Sequence, residues 1–578
     1  DVEGLELRTN AENLGFTRNC NAAAAGVDSD YLVFLNSDTV VLEGWLEALL
    51  DAATRDPDVG LVGTRLLDPD GTLQEAGVVM FRDGWGYPLG RGDDPEAPAY
   101  GYRREVDAVT GAAFLVRRAA WQAVGGFDEA YAPAFFEEYE LAFSLAAAGW
   151  KTVYQPAARV IHAGSASYGP EVRDRQTRIN HDRFVSRWAD ELATRYEGPP
   201  DLFLARDRGG RRGIVLVIDD KVPEYDRHAG ALTVFQYLRL LAAEGFRVLY
   251  LPDDGLAREP YTTELQQLGI EVLTGSFDAG AWFAEHGVHL DWVISARPYV
   301  TPRYLGHIRR RSRARVLYYP HDLHFLRERR RYETTGDPEA LAEAARLREI
   351  ETGIFRRVDV VLTPSAEEVP VIAELAPEAE IRVITPYFYR DRGPTPPADP
   401  PLAERRELIF IGAYDHLPNV DAAQLLVREI MPTVWARVPD ATVALIGDFV
   451  PPEVAALAQE RVTVTGYVPD LAPWWARARM SVNPLRYGSG VKGKVVASLQ
   501  AGIPVVTTPV GNEGIALEPG VAALIGETPA ELAALIISLF EEPDRLDALA
   551  AAGTAVISGR FSEAVAREDL FAAMGVSP

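Results

Sequence analysis

Short apolar runs alternate with amphipathic helical stretches along the whole chain, and this pattern most limits what it can fold into. It is the signature of α/β layering, in which strands are buried between helices. Tyr31-Leu32-Val33-Phe34-Leu35, Val59 to Val62 and Val153 to Ile161 read as buried strands. Ile214 to Ile218 and Val248 to Leu251 read likewise, on either side of a helix from Leu232 to Glu244. Leu408 to Ile411 and Val443 to Ile446 flank a helix from Asp421 to Val438, and Pro504 to Thr507 is a further short strand. Two Gly- and Pro-rich segments can continue neither a helix nor a central strand. They divide the chain into 1–200, a linker over 201–212, 213–392, a Pro-rich hinge over 393–404, and 405–578.

The 578 residues exceed what one core usually holds, at ~150 residues per domain. With 47% hydrophobic and 25% charged residues the chain can pack ordinary cores, which excludes wholesale disorder. A net charge of −26 argues against a general nucleic-acid binder, which needs a basic footprint. Cys20 is the only cysteine, so neither an intrachain disulfide nor a cysteine zinc cluster can form. No apolar run approaches the ~18 residues that span a bilayer, and no signal peptide is visible. These features predict a cytoplasmic protein. The chain opens on Asp1 rather than Met, inside what reads as a domain, so a longer natural protein is expected. Only Lys151, Lys221, Lys492 and Lys494 are lysines among 58 basic residues. Codon bias accounts for the scarcity, but the last two stand beside a glycine pair.

In the first region Leu35-Asn36-Ser37-Asp38-Thr39 closes a strand with a carboxylate. A strand-end Asp can hold a hard divalent cation that also grips phosphate oxygens. Asn13-Leu14-Gly15-Phe16 and Asn21 precede it; Gly125-Gly126-Phe127-Asp128, Phe135-Phe136-Glu137-Glu138-Tyr139-Glu140-Leu141 and Val160-Ile161-His162 follow. This order resembles the inverting family 2 glycosyltransferases of the GT-A fold over residues 5–170 or so. The resemblance implies that Asp38, with Asn36 in the first slot of its motif, binds a Mg or Mn cation bridging the donor diphosphate, and that His162 is a further ligand. It implies Glu138 as the base that deprotonates the acceptor hydroxyl, with Glu137 and Glu140 as alternative carriers. The family usually has Asp in the second and fourth slots of that segment, where this chain has Glu138 and Glu140. It also begins with two further strands, which are missing ahead of Leu5-Glu6-Leu7.

In the second region Asp226-Arg227-His228-Ala229-Gly230 leads into a helix, and Tyr319-Pro320-His321-Asp322 follows a strand. A glycine there lets a ligand approach backbone N–H groups. In the third, Arg486-Tyr487-Gly488-Ser489-Gly490-Val491-Lys492-Gly493-Lys494 opens a helix. Glycines, a helix N-terminus and two lysines make a diphosphate site. The stretch nearly spells a P-loop, but Val495 stands where Ser or Thr would hold Mg²⁺. With Phe410-Ile411-Gly412, His416-Leu417-Pro418-Asn419-Val420-Asp421, Gly502-Ile503-Pro504 and Gly511-Asn512-Glu513-Gly514, it resembles the family 4 glycosyltransferases of the GT-B fold. The resemblance covers about 213–570 and implies a retaining, metal-independent transfer between two Rossmann-like halves. Lys492 and Lys494 would neutralise the leaving diphosphate, with Gly230, Gly412, Asn419, Arg486, Gly490 and Glu513 around the donor and His321 near the sugar or acceptor. Many members carry two Glu eight positions apart; those slots are Ser489 and Ala497.

Arginine runs at 309–315 and 327–331 read as solvated helix faces or as a contact with an anionic membrane. The expected molecule is therefore α/β: an incomplete GT-A nucleotide-diphospho-sugar transferase domain followed by GT-B twin Rossmann-like domains. It would transfer sugars from nucleotide-sugar donors to a glycan or lipid-linked acceptor of a bacterial surface polysaccharide, in the cytoplasm, with peripheral contact at the inner membrane face. The competing expectation is a degenerate sugar-binding or scaffold protein.

Overall fold

The computed structural model describes residues 6–164, 169–227, 229–390 and 399–577. His228, and 393–398 of the expected hinge, lie outside the described residues. The chain forms two compact units: Asp1–Ile214 with Leu241–Tyr250 and Thr262–Gly275, and Val215–Leu240 with Leu251–Tyr261 and Ser276–Pro578.

In the first unit the strands are β1 (Tyr31–Leu35), β2 (Thr39–Val41), β3 (Val59–Leu67), β4 (Leu73–Glu75), β5 (Val78–Met80), β6 (Gly86–Pro88), β7 (Arg104–Glu105), β8 (Ala113–Arg117) and β9 (Lys151–His162). The main sheet runs β1-β8-β3-β9-β2, with β4 on β3 and β7 on β9. β3 is buried along its whole length, as a central strand covered on both faces must be. β1 departs from the buried strand expected of it. Among the described residues it lies at the sheet edge, pairing antiparallel with β8, and leaves Val33 41% and Leu35 45% exposed. The expected linker is also packed rather than loose. Leu202–Ala205 is helical, Arg208 pairs with buried Asp107 at 3.3 Å, and Arg206 pairs with buried Glu271 at 2.6 Å. β11 (Arg247–Pro252) and β12 (Glu271–Val272) pair in parallel; β10 (Ile214–Asp219) precedes them in the chain.

In the second unit β10, β13 (Trp292–Ala296), β14 (Arg315–Tyr319), β15 (Val360–Thr363) and β16 (Glu380–Val383) run parallel in that order. A second parallel sheet runs β19-β18-β17-β20-β21-β22, from β17 (Glu407–Ile411), β18 (Thr442–Ile446), β19 (Val462–Gly466), β20 (Ala478–Asn483), β21 (Val505–Thr507) and β22 (Leu524–Ile525). Near-continuous apolar strands such as Ile214-Val215-Leu216-Val217-Ile218 suit this geometry, because helices cover both faces. The expected helix from Asp421 to Val438 is Leu417–Leu425 and Met431–Arg437 joined by a π-turn over Leu426–Ile430. The last helix, Glu563–Met574, returns to the first of these sheets, where Trp292 Nε1 donates to the Met574 carbonyl at 3.0 Å. Among the described residues no helix is long and apolar enough to cross a membrane.

Candidate active sites

Asp38 and His162 meet because β2 pairs antiparallel with the end of β9. Thr39 lies opposite His162, and the Ala163 N–H donates to the Asp38 carbonyl at 3.0 Å. The Asp38 carboxylate then stands 3.5 Å from His162 Nε2. Asn36 acts through its backbone: its N–H donates to Ala112 O at 2.8 Å and its carbonyl accepts from Thr39 Oγ1 at 2.6 Å. Among the described residues no group of three or more His, Cys, Asp or Glu side chains could hold a metal ion. The Asp38 carboxylate suits a hard cation that takes its other ligands from water and a diphosphate, and His162 could join it as a single nitrogen ligand.

The acidic segment follows a strained turn. Phe135 and Phe136 both adopt left-handed backbone, at φ 78° and 74°, which costs roughly 1–3 kcal/mol each. Asn180, fully buried, holds that turn by donating to the carbonyls of Tyr131, Ala134 and Phe135 at 2.7–3.0 Å. Nothing in the local sequence near residue 180 announced this role. The turn launches the helix Glu137–Ala147 with Glu137 and Glu138 turned inward. Among the described residues, Oε2 of each is buried without a hydrogen-bond partner. Burial pushes the Glu138 carboxyl up to about 7, and burial with the Glu138 charge holds Glu137 well above the usual carboxylate range. A general base poised near neutrality needs such a setting.

Glu140 does not fit the base role given to it as an alternative. Its carboxylate accepts from Trp188 Nε1 at 2.7 Å, Ser144 Oγ at 2.8 Å and Tyr131 Oη at 3.1 Å, and pairs with Arg187 at 3.2 Å. Its lone pairs are committed and its side chain is buried, so it anchors the helix. Asn21 is structural as well, exchanging two hydrogen bonds with the Phe127 backbone at 2.8 and 3.0 Å. Cys20 is inert: burial, with the Glu137 charge, pushes its thiol up to about 12.

In the second unit Lys492 and Lys494 bracket Gly493 at the start of the helix Gly493–Gln500. Lys494 Nζ lies 4.7 Å from the Phe410 ring centre and hydrogen-bonds Asn419 Oδ1. Asn419 is held in turn by donating to the Ala413 carbonyl at 2.7 Å. Burial, reinforced by the Lys492 charge, pushes the Lys494 amine down to about 7. Gly412 is required here, since a Cβ on it would stand 2.7 Å from Asn419 Cγ and 3.0 Å from Lys494 Nζ. Lys492 is spent differently: it donates to the carbonyls of Ser489 and Gly490 at 3.0 and 2.5 Å and lies 3.5 Å from Glu513.

Two of the expected donor contacts are otherwise engaged. Both Glu513 oxygens accept from Arg330, at 2.7 and 2.8 Å, and Arg330 also donates to Gly488 O at 2.6 Å. Glu513 therefore ties the arginine-rich helix His324–Thr335 to the glycine loop. Arg486 forms an ion pair with Asp421, its Nε donating at 2.9 Å. Ser489, in the first family Glu slot, donates its hydroxyl to Asp322 at 2.7 Å.

His321 sits where the halves meet. Its backbone is left-handed at φ 70°, its Nε2 stands 3.5 Å from Asp219, and a Cβ on Gly230 would lie 3.2 Å from its Nδ1. Gly490, at φ +67°, packs on Asp322, with 3.1 Å between its notional Cβ and Asp322 Cβ. Arg297 was not evident from sequence: it donates to Asp219 at 2.5 Å and holds that carboxyl well below its usual range despite burial. A cavity of about 350 Å³ opens beside this cluster, lined by Arg297, Tyr299, His324, Arg327, His416 and Tyr487 among others. Burial pushes His324 down to about 4 and His416 to about 3, so both present neutral imidazoles at pH 7.

Sequence comparison matches glycosyltransferase models to the regions that hold these two constellations. The description "Glycosyltransferase like family 2" matches residues 3–179, and "Glycosyl transferases group 1" matches 405–542. The chain thus carries a family 2 glycosyltransferase-like domain at its amino end and a group 1, GT-B glycosyltransferase domain at its carboxyl end. It is 38% identical over 153 residues to the O-antigen biosynthesis protein RfbC of Myxococcus xanthus, which covers 25% of this chain and 12% of that protein. It is 36% identical over 151 residues to the N-acetylglucosaminyl-diphospho-decaprenol L-rhamnosyltransferase of Mycobacterium tuberculosis, covering 24% of this chain and 49% of that one. Over 244 residues it is 30% identical to D-inositol 3-phosphate glycosyltransferase 1 of Catenulispora acidiphila, covering 38% of this chain and 57% of that one. The chain therefore spans between 12% and 57% of the length of these curated relatives.

Proposed function

We propose that the chain is a two-site glycosyltransferase that uses nucleotide-sugar donors to extend a glycan or lipid-linked acceptor of a bacterial surface polysaccharide. The amino-terminal site would invert at the anomeric carbon and depend on a divalent cation; the second unit would retain configuration without one. The observation that carries this reading is Lys494, a buried amine whose hydrogen bond goes to a neutral amide and whose affinity for protons is depressed to about 7. Such a group gains most from an anion arriving beside it, and a leaving diphosphate supplies one.

At the amino-terminal site Asp38 and His162 would hold a Mg or Mn cation, whose chemistry is to neutralise the departing diphosphate. Glu138 takes the acceptor hydroxyl proton, and its burial keeps the carboxylate basic. The Asn180-held turn fixes the start of the helix that carries both carboxylates. In the second unit Lys494 supplies positive charge by taking up a proton as the anion arrives, and Lys492 shapes the Gly488–Gly490 loop around the same ligand. The relatives named for O-antigen biosynthesis and for L-rhamnosyl transfer support the polysaccharide setting. A peripheral membrane contact has little to draw on. Arg309 and Arg315 pair with Asp359 and Glu380, and Arg327, Arg330 and Arg331 pair with Asp322, Glu513 and Glu328.

The second reading is a chain in which the GT-B site has lost turnover. The Ser489 and Ala497 slots and the Arg330–Glu513 pair favour it, because neither family slot holds a carboxylate and Glu513 is already paired. Nucleoside diphosphate release across a panel of nucleotide sugars separates the two. Release that persists in each of Asp38→Ala and Lys494→Met and is lost only when both are combined supports two working sites. Release lost entirely with Asp38→Ala leaves only the amino-terminal one.

A further inference from the structure

His162 is held by a side chain that none of its motifs includes. Its Nδ1 lies 2.7 Å from Gln74 Oε1, and the Gln74 amide nitrogen donates to Asp68 Oδ1 at 2.6 Å and to the His162 carbonyl at 3.1 Å. A carboxylate and a peptide carbonyl can only accept, so the Gln74 NH₂ must face both of them. Its carbonyl oxygen then faces the imidazole and can only accept from it. The proton of neutral His162 is thereby placed on Nδ1, and the lone pair on Nε2, the nitrogen 3.5 Å from Asp38. The opposite tautomer would set Nε2–H against the Asp38 carboxylate and leave no imidazole lone pair there for a cation.

We infer that Asp68 and Gln74 form an orienting relay that presents the Nε2 lone pair of His162, beside Asp38, to a hard divalent cation. Gln74 is a positioning residue here, acting only through His162. The strands explain the arrangement. β4 pairs antiparallel with the end of β3, with Leu73 opposite Leu67, which returns Gln74 to Asp68 across the connecting turn. The same end of β3 pairs in parallel with the end of β9, Leu67 opposite Ile161, which brings His162 alongside. Partners that orient a metal-binding imidazole in this way are typically worth ~10–100-fold in metal affinity. The inference rests on Asp38 and His162 as the cation pair, but the tautomer is a property of the metal-free chain and can be read alone.

The test uses the whole chain with ¹⁵N-labelled histidine. Long-range ¹H–¹⁵N spectra without metal, with His162→Gln assigning the resonance, should show His162 as the Nδ1–H tautomer. Titration with Mn²⁺, followed by the paramagnetic resonance of the free ion, reads affinity. Gln74→Leu should lose the tautomer preference and weaken Mn²⁺ binding by ~10-fold or more. The conservative variant Asp68→Asn keeps an acceptor for the Gln74 amide, and should retain the Nδ1–H tautomer and an Mn²⁺ affinity between those of the native chain and Gln74→Leu. If Gln74→Leu misfolds, the tautomer of the native chain still decides. An Nε2–H tautomer in the native chain, or Gln74→Leu with native tautomer and native Mn²⁺ affinity, overturns the relay. A native chain that shows Nδ1–H but binds no Mn²⁺ supports the relay and sinks the cation reading of Asp38 and His162 instead.

Discussion

The amino-terminal site and the cleft of the second unit meet the same electrostatic problem with opposite charges. At the first, Asp38 supplies negative charge, joined by Glu138 as it ionises near 7, and an imported cation would let a diphosphate settle there. At the second, Lys494 and Lys492 carry the positive charge themselves, and the acids nearby are already committed: Glu513 to Arg330, Asp219 to Arg297, Asp322 to Arg327. The contrast teaches that net charge says little about ligand. A chain at −26 concentrates half of its few lysines at one helix start, where burial has lowered the proton affinity of both.

The contrast can be broken at several points. The largest effect should come from Asp38→Ala, which takes cation-dependent donor turnover to background while leaving nucleotide binding by the second unit, read by calorimetry, unchanged. Equal loss at both would erase the distinction. Glu138→Gln should cost ~10²–10⁴ in kcat at the amino-terminal site with little change in KM. In the native chain that activity should rise with pH through about 7, because the base form is the deprotonated one. Lys494→Met should cost ~10²–10³ in turnover by the second unit, the usual price of one preorganised charge donor.

Proton linkage gives a smaller signal of definite sign. With Lys494 near 7, most of it is neutral at pH 8, and an arriving diphosphate favours the charged form. Nucleoside diphosphate binding at pH 8 should therefore take up to about one proton from buffer, and Lys494→Met should abolish the uptake. The same depression makes the unfolded chain the stronger proton acceptor, so this residue's contribution to stability falls as pH drops from about 10 towards 7. The smallest effect on chemistry belongs to Glu140→Gln. It should leave Glu138-dependent turnover near native but cost about 1–3 kcal/mol in denaturant unfolding, since Trp188, Tyr131 and Arg187 lose a charged acceptor.

What the sequence revealed and what it hid divide along one physical line. Asp38, His162, Gly412 and the Gly488–Lys494 loop were legible because each stands at a strand end or helix start, where the backbone alone decides exposure. The division of labour among Glu137, Glu138 and Glu140 was not legible. It depends on Trp188 and Tyr131 closing over Glu140, and on Asn180 pinning a turn 45 residues earlier. Glu513 looked available as a donor contact because its partner Arg330 lies 183 residues away. Gln74 escaped notice for the same reason, standing 88 residues from His162. β1 read as buried from its apolar run, yet composition cannot say whether a strand has one neighbour or two.

The most direct measurement is nucleoside diphosphate release by the Asp38→Ala and Lys494→Met chains, each with Mn²⁺ and with EDTA. Two chemically independent sites predict that what remains in Asp38→Ala is indifferent to EDTA, and that what remains in Lys494→Met is abolished by it. Release that EDTA silences in both variants, or in neither, would contradict the account.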